Sequence, residues 1–84
     1  MNDAVLEYEY DSGERATTVL RSVEQEVGEI EGGRSRTTIS RDESTVVVRV
    51  EADDLVALRA ALNTWQTLVG VAEESADLGE AVGR

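Results

Sequence analysis

The apolar side chains available for a core are small, and this limits the chain more than any other feature. Twelve valines and nine alanines dominate, beside seven leucines, two isoleucines, one Trp and no Phe. A chain of 84 residues covers only about 60 to 65 per cent of its unfolded surface on folding. Cys is absent, so no disulfide can add stability, and without His or Cys the usual zinc sites are also excluded. Oligomerisation or an obligate partner is the remaining route to more buried area. The length allows one domain, 1–84, with a polar tail from about residue 76 expected to fray.

Catalytic chemistry finds little to stand on. Ser12, Ser22, Ser40 and Thr64 have no His or Lys to act as base. The carboxylate pairs Asp53-Asp54 and Glu73-Glu74 are neighbours in sequence, which do not face each other on a helix. They read as helix-cap and solvated-face acids. Gly32-Gly33 lacks the Lys and Ser/Thr of a phosphate loop. No carboxylate spacing suggests a magnesium site. We therefore expect no enzyme, no cofactor and no metal. No apolar run approaches the ~20 residues of a membrane span. Met1-Asn2-Asp3-Ala4 is acidic and unlike a targeting peptide, so the expected location is the cytoplasm.

Eighteen acids face eight bases, all Arg, for a net charge of −10. This argues against free-standing nucleic-acid binding, which needs a basic footprint. Two readings of the charge remain: an acidic partner surface, or adaptation to high salt. At 1 M salt screening shrinks to ~3 Å and acidic self-repulsion costs little. The absence of Lys favours a halophilic source.

Three alternating runs and two helical ones follow along the chain. In Val5–Tyr10, Leu6, Tyr8 and Tyr10 share a face, as in a half-buried strand. Asp11-Ser12-Gly13-Glu14 resembles a helix start, and Ala16, Val19, Leu20, Val23 and Val27 recur at helical spacing until Gly28. Glu29–Gly33 reads as a loop. Arg34–Ser40 and Thr45–Ala52 alternate again, with Arg41–Ser44 as the hairpin turn between them. Asp53 suits an N-cap and Asp54 the first turn of a long helix to about Ser75 or further, with Gly70 a point where it could bend. The expected class is α+β: a three-stranded antiparallel sheet with two helices on one face, in the order β-α-β-β-α.

The long helix carries two stripes. Leu55, Leu58, Leu62, Trp65, Val69 and Ala72 form one; Ala57, Ala61, Leu68 and Val71 form a second, widened by Ala60. One stripe suffices to cover a sheet. Two suit a helix that also touches another body, although a helix sunk between its sheet and the first helix would look the same. Arg59, Asn63 and Gln66 run along a polar edge beside the stripes, as at an interface rim. Trp65 fits either an interface anchor or a space-filling core residue.

Arg34–Arg41 is the only basic island; its three arginines leave −13 on the other 76 residues. Arg34, Arg36 and Arg41 could meet RNA phosphate or an acidic edge. They could equally pair across strands with Glu7, Glu9 or Glu51.

The run from Val47 to Trp65 resembles the Pcc family, the small subunit of the archaeal KEOPS complex. The likeness rests on a strand ending in an acid, then Ala52-Asp53-Asp54-Leu55-Val56-Ala57-Leu58-Arg59-Ala60-Ala61-Leu62-Asn63-Thr64-Trp65 opening the last helix. The Arg34-Ser35-Arg36-Thr37 strand and the element order also fit. The resemblance implies a homodimer without activity of its own. It implies docking to the catalytic threonylcarbamoyl-transferase subunit, in support of threonylcarbamoyladenosine formation in tRNAs that read codons beginning with A. Carried over, the partner surface would include Leu55, Arg59, Leu62, Asn63 and Gln66, and tRNA would be held only by the complex. A long acidic tail after Ala72 and the missing Lys depart from the family pattern; both fit salt adaptation. The competing function is a small RNA-binding module using the arginine strand. A third is a small-ligand domain, which would need a concave apolar pocket.

Overall fold

The computed structural model describes residues 2–26 and 33–82, with side chains described as far as Ala76. Its elements are β1 (Asn2–Glu9), α1 (Gly13–Glu24), β2 (Ser35–Asp42), β3 (Thr45–Ala52) and α2 (Leu55–Val82). The α+β class and the β-α-β-β-α order agree with the sequence reading. α1 ends at Glu24 with Gln25 as its C-cap, short of the expected run to Val27; the expected stop at Gly28 and most of the Glu29–Gly33 loop lie outside the described residues.

The three strands form one antiparallel sheet in the order β1-β3-β2. β3 takes the centre. Its Val46, Val48, Val50 and Ala52 are completely buried, and each row continues onto both neighbours. Leu6 and Ile39 flank Val48, while Ala4 and Thr37 flank Val50. Period-2 alternation sends these residues to the helix-covered face. The opposite face carries Asp3, Glu7 and Glu9 on β1, Arg49 and Glu51 on β3, and Arg36 and Asp42 on β2. The β2–β3 turn is tighter than Arg41–Ser44. Asp42 still pairs with Thr45, so Glu43 and Ser44 alone make the connection, with Glu43 at φ 56°.

Ser12 caps α1: its Oγ accepts from the Arg15 N–H at 3.1 Å. The cap of α2 falls one residue later than expected. Asp54 Oδ1 accepts from the Ala57 N–H at 2.8 Å, and the Asp54 carbonyl accepts the Leu58 N–H at 3.0 Å. Asp53 is held back because its own N–H donates to the Arg34 carbonyl at 2.9 Å, extending the strand geometry. α2 then runs 28 residues, through Gly70 and on to Val82.

The ends of the sheet show how α2 lies across it. The helix starts beside Ala52. At the hairpin end, where the Tyr10 N–H donates to the Ser44 carbonyl, the Tyr10 hydroxyl donates to Glu73 Oε2 at 2.7 Å. Residues 55–73 thus match the strand length at ~1.5 Å per residue. The core lies between sheet and helices and joins Ala16, Val19 and Val23 of α1 to Leu58, Ala61, Trp65, Val69, Ala72 and Ala76 of α2.

Candidate docking face

Among the described residues, one side of α2 from Leu55 to Val71 is exposed. Leu58, Ala61, Trp65, Val69 and Ala72 face the core, and Leu68 and Val71 border a cleft shared with Ser22 and Val23 of α1 and with Glu26 just past it. The outward arc is made by Leu55, Val56, Arg59, Ala60, Asn63, Gln66, Thr67 and Val71. Its apolar members are well exposed: Leu55 59%, Val56 72% and Val71 55%.

The arc's charge is as unusual as its exposure. From Leu55 to Ala72 the chain holds no acid, and Arg59 is its one charged residue. All 18 acids lie elsewhere. A solvated helix face in so acidic a chain would carry several of them. Interface centres, in contrast, are depleted of Asp, Glu and Lys and enriched in Arg.

The sequence-predicted partner residues separate into two groups. Leu55, Arg59, Asn63 and Gln66 are exposed on the arc, and Leu62 is half-buried at its edge, packed against the core. Trp65 does not belong with them. It is completely buried, and its indole N–H donates to the Thr37 hydroxyl at 2.9 Å. The reading of Trp65 as an interface anchor is therefore corrected: it fills the Val- and Ala-rich interior from the centre of the core-facing stripe. Val56 was overlooked because it lies outside both apolar stripes. The acid-free run around it was the signal that could have found it.

The three arginines of the basic island do not converge. Arg34 pairs with the Asp54 carboxylate at the foot of α2. The Ala57 N–H and this guanidinium hold the Asp54 carboxyl below its ordinary range. Arg36 lies on the open sheet face, directly across from Glu51; Glu7 and Glu9 are a strand further away, on β1. Arg41 lies toward the helices, where its guanidinium donates to the Glu43 carbonyl at 2.6 Å and borders a shallow groove beside Gly13, Thr17 and Arg21.

At the far end of α2, burial and the carboxylate of Glu73 raise the Tyr10 hydroxyl above its ordinary pKa, and Tyr8 is raised by the same causes. Among the described residues no group of three or more acids is placed to hold a metal ion. No described helix is long and apolar enough to cross a membrane.

Fold and face together define a small α+β protein whose distinguishing surface is an acid-free helix flank. A family model described as transcription factor Pcc1 matches residues 3–77, and the chain belongs to that family. Pcc1 is a subunit of the KEOPS complex, and the family is one of non-catalytic subunits with a tRNA-related role. No curated protein matches the chain.

Proposed function

We propose that this chain is the dimerisation and docking subunit of an archaeal KEOPS complex from a halophile. In this role it forms a cytoplasmic homodimer and binds the catalytic threonylcarbamoyl-transferase subunit. It thereby supports threonylcarbamoyladenosine formation in tRNAs that read codons beginning with A. The observation that carries the reading is the outward arc of α2. It exposes Leu55, Val56 and Val71 within a run of 18 residues free of acid, on a chain of net charge −10. Leu55, Arg59, Leu62, Asn63 and Gln66 form the contact, with Val56 added to them.

Capture of the transferase subunit tests this. Val56 is 72% exposed, so Val56→Asp leaves the unfolding free energy within about 0.5 kcal/mol of wild type. It should nevertheless abolish capture, because an acid then enters the contact. Retained capture by folded Val56→Asp would show that another surface does the docking. Light scattering of the isolated chain, expected to give the mass of a dimer, tests the homodimer separately. The tRNA is held by the assembled complex; a scattered set of Arg34, Arg36 and Arg41 on an acidic chain is a poor phosphate footprint.

A further inference from the structure

The one charge on the docking face says something about what covers it. Arg59 is exposed and makes no ion pair or side-chain hydrogen bond with the described residues. Its helical neighbours one turn away are Leu55, Val56, Leu62 and Asn63, none of them acidic. The carboxylates that bracket the acid-free run are already engaged. Asp54 holds the Ala57 N–H and Arg34, and Glu73 accepts from Tyr10. Acids outnumber arginines by ten in this chain, so a cation that pairs with no acid among the described residues, on an otherwise uncharged arc, is a conspicuous exception.

We infer that Arg59 is the charged contact of this face, and that the covering surface is an apolar protein surface carrying a carboxylate opposite it. The inference rests on the docking reading above and specifies the partner's chemistry. The long aliphatic stem of Arg lies along apolar surface while its guanidinium forks onto a carboxylate, so one residue serves both parts of such a contact. The pairing also fixes the partner's register along α2, which apolar contacts alone leave loose. A second copy of this chain on the same face would offer an acid-free run with engaged carboxylates at its ends. An RNA would find one cation on an otherwise uncharged arc, which is no footprint for a phosphate backbone.

The test measures affinity of the full chain for the transferase subunit with Arg59→Gln, Arg59→Glu and Val56→Asp. Circular dichroism melts confirm folding, which replacing an exposed Arg should not alter. Arg59→Gln should bind about tenfold more weakly and Arg59→Glu about a hundredfold. The ratio of wild-type to Arg59→Gln affinity should shrink toward one between 0.1 M and 1 M salt. Replacing the facing acid of the partner by Arg should restore binding to Arg59→Glu. If both Arg59 variants bind like wild type while Val56→Asp does not, the ion pair is wrong and the docking face stands. If all three bind like wild type, the docking face falls as well. Loss of the dimer in light scattering with capture intact would assign the face to a second copy and overturn the inference.

Discussion

At the scale of single residues, two polar links to α2, one from β2 and one from the residue after β1, stand on different footing. The Trp65–Thr37 bond is deep in the core, where both partners are buried and neither finds water instead. Thr37→Val keeps the shape of the side chain and leaves the indole N–H without an acceptor, at a cost of about 1–3 kcal/mol. Adding Trp65→Phe to Thr37→Val should then cost less than the two single changes summed, since the second removes the orphaned donor. Urea unfolding of the four proteins checks this. The Tyr10–Glu73 bond responds to pH. With the folded-state pKa of Tyr10 above its unfolded value of 10.0, the stabilisation is fully present below about pH 10. It is lost as pH rises further and the unfolded chain releases its proton first. Tyr8 adds to the same limb. The unfolding midpoint should therefore fall above pH 10, and Tyr10→Phe should flatten that fall; an unchanged slope would remove Tyr10 as its source. The sequence placed Trp65 on the correct stripe and left its depth open. Periodicity fixes which way a residue points around a helix, whereas burial depends on what lies above it.

At the scale of elements, strand and helix positions were legible because each has a clean period. Val46, Val48 and Val50 alternate, and Ala16, Val19 and Val23 recur one turn apart. The strand order was less accessible, although its reason was present. Only a central strand needs a face as apolar as that of β3, while β1 and β2 carry the charges that suit sheet edges. The cap of α2 was misplaced by one residue because Asp53 and Asp54 are alike in isolation. A hydrogen bond to Arg34, distant in sequence, decides between them. The outward arc is legible only in part: helical periodicity marks the apolar stripes, whereas this face is marked by an absence of acids, which has no period. Gly70 is the weak point of this helix. It lies in the helix interior, and a Cβ built there meets nothing within 4 Å. Gly70→Ala should therefore stabilise the chain by about 0.5–1 kcal/mol through helix propensity alone. A destabilised variant would show that a close neighbour covers this position, and measuring it alone and with the transferase subunit separates an intrachain neighbour from the partner.

At the scale of the whole molecule, charge and size work together. Sheet and helices enclose a core of Val, Ala and one Trp, and around it lies a surface with ten more negative than positive charges. Two electrostatic effects oppose each other as salt is added. Exposed pairs such as Arg34–Asp54 weaken, but solvent-exposed pairs of this kind contribute little in water. Self-repulsion among ten uncompensated charges weakens too, and in the stabilising direction. With a screening length of ~10 Å at 0.1 M and ~3 Å at 1 M, repulsion between acids on the open sheet face is largely removed over that range. The second effect involves more charges at longer distances, so it decides the sign. The unfolding midpoint of the isolated chain should rise steadily from 0.1 M to 1 M KCl. NaCl should give the same rise, whereas sulfate would add its separate strengthening of apolar burial. A flat or falling midpoint in both chlorides would remove salt adaptation as the account of the charge. The acids would then have to be read as a surface for a basic partner. That outcome would leave the α2 arc untouched, because Leu55 to Ala72 contributes only Arg59 to the balance.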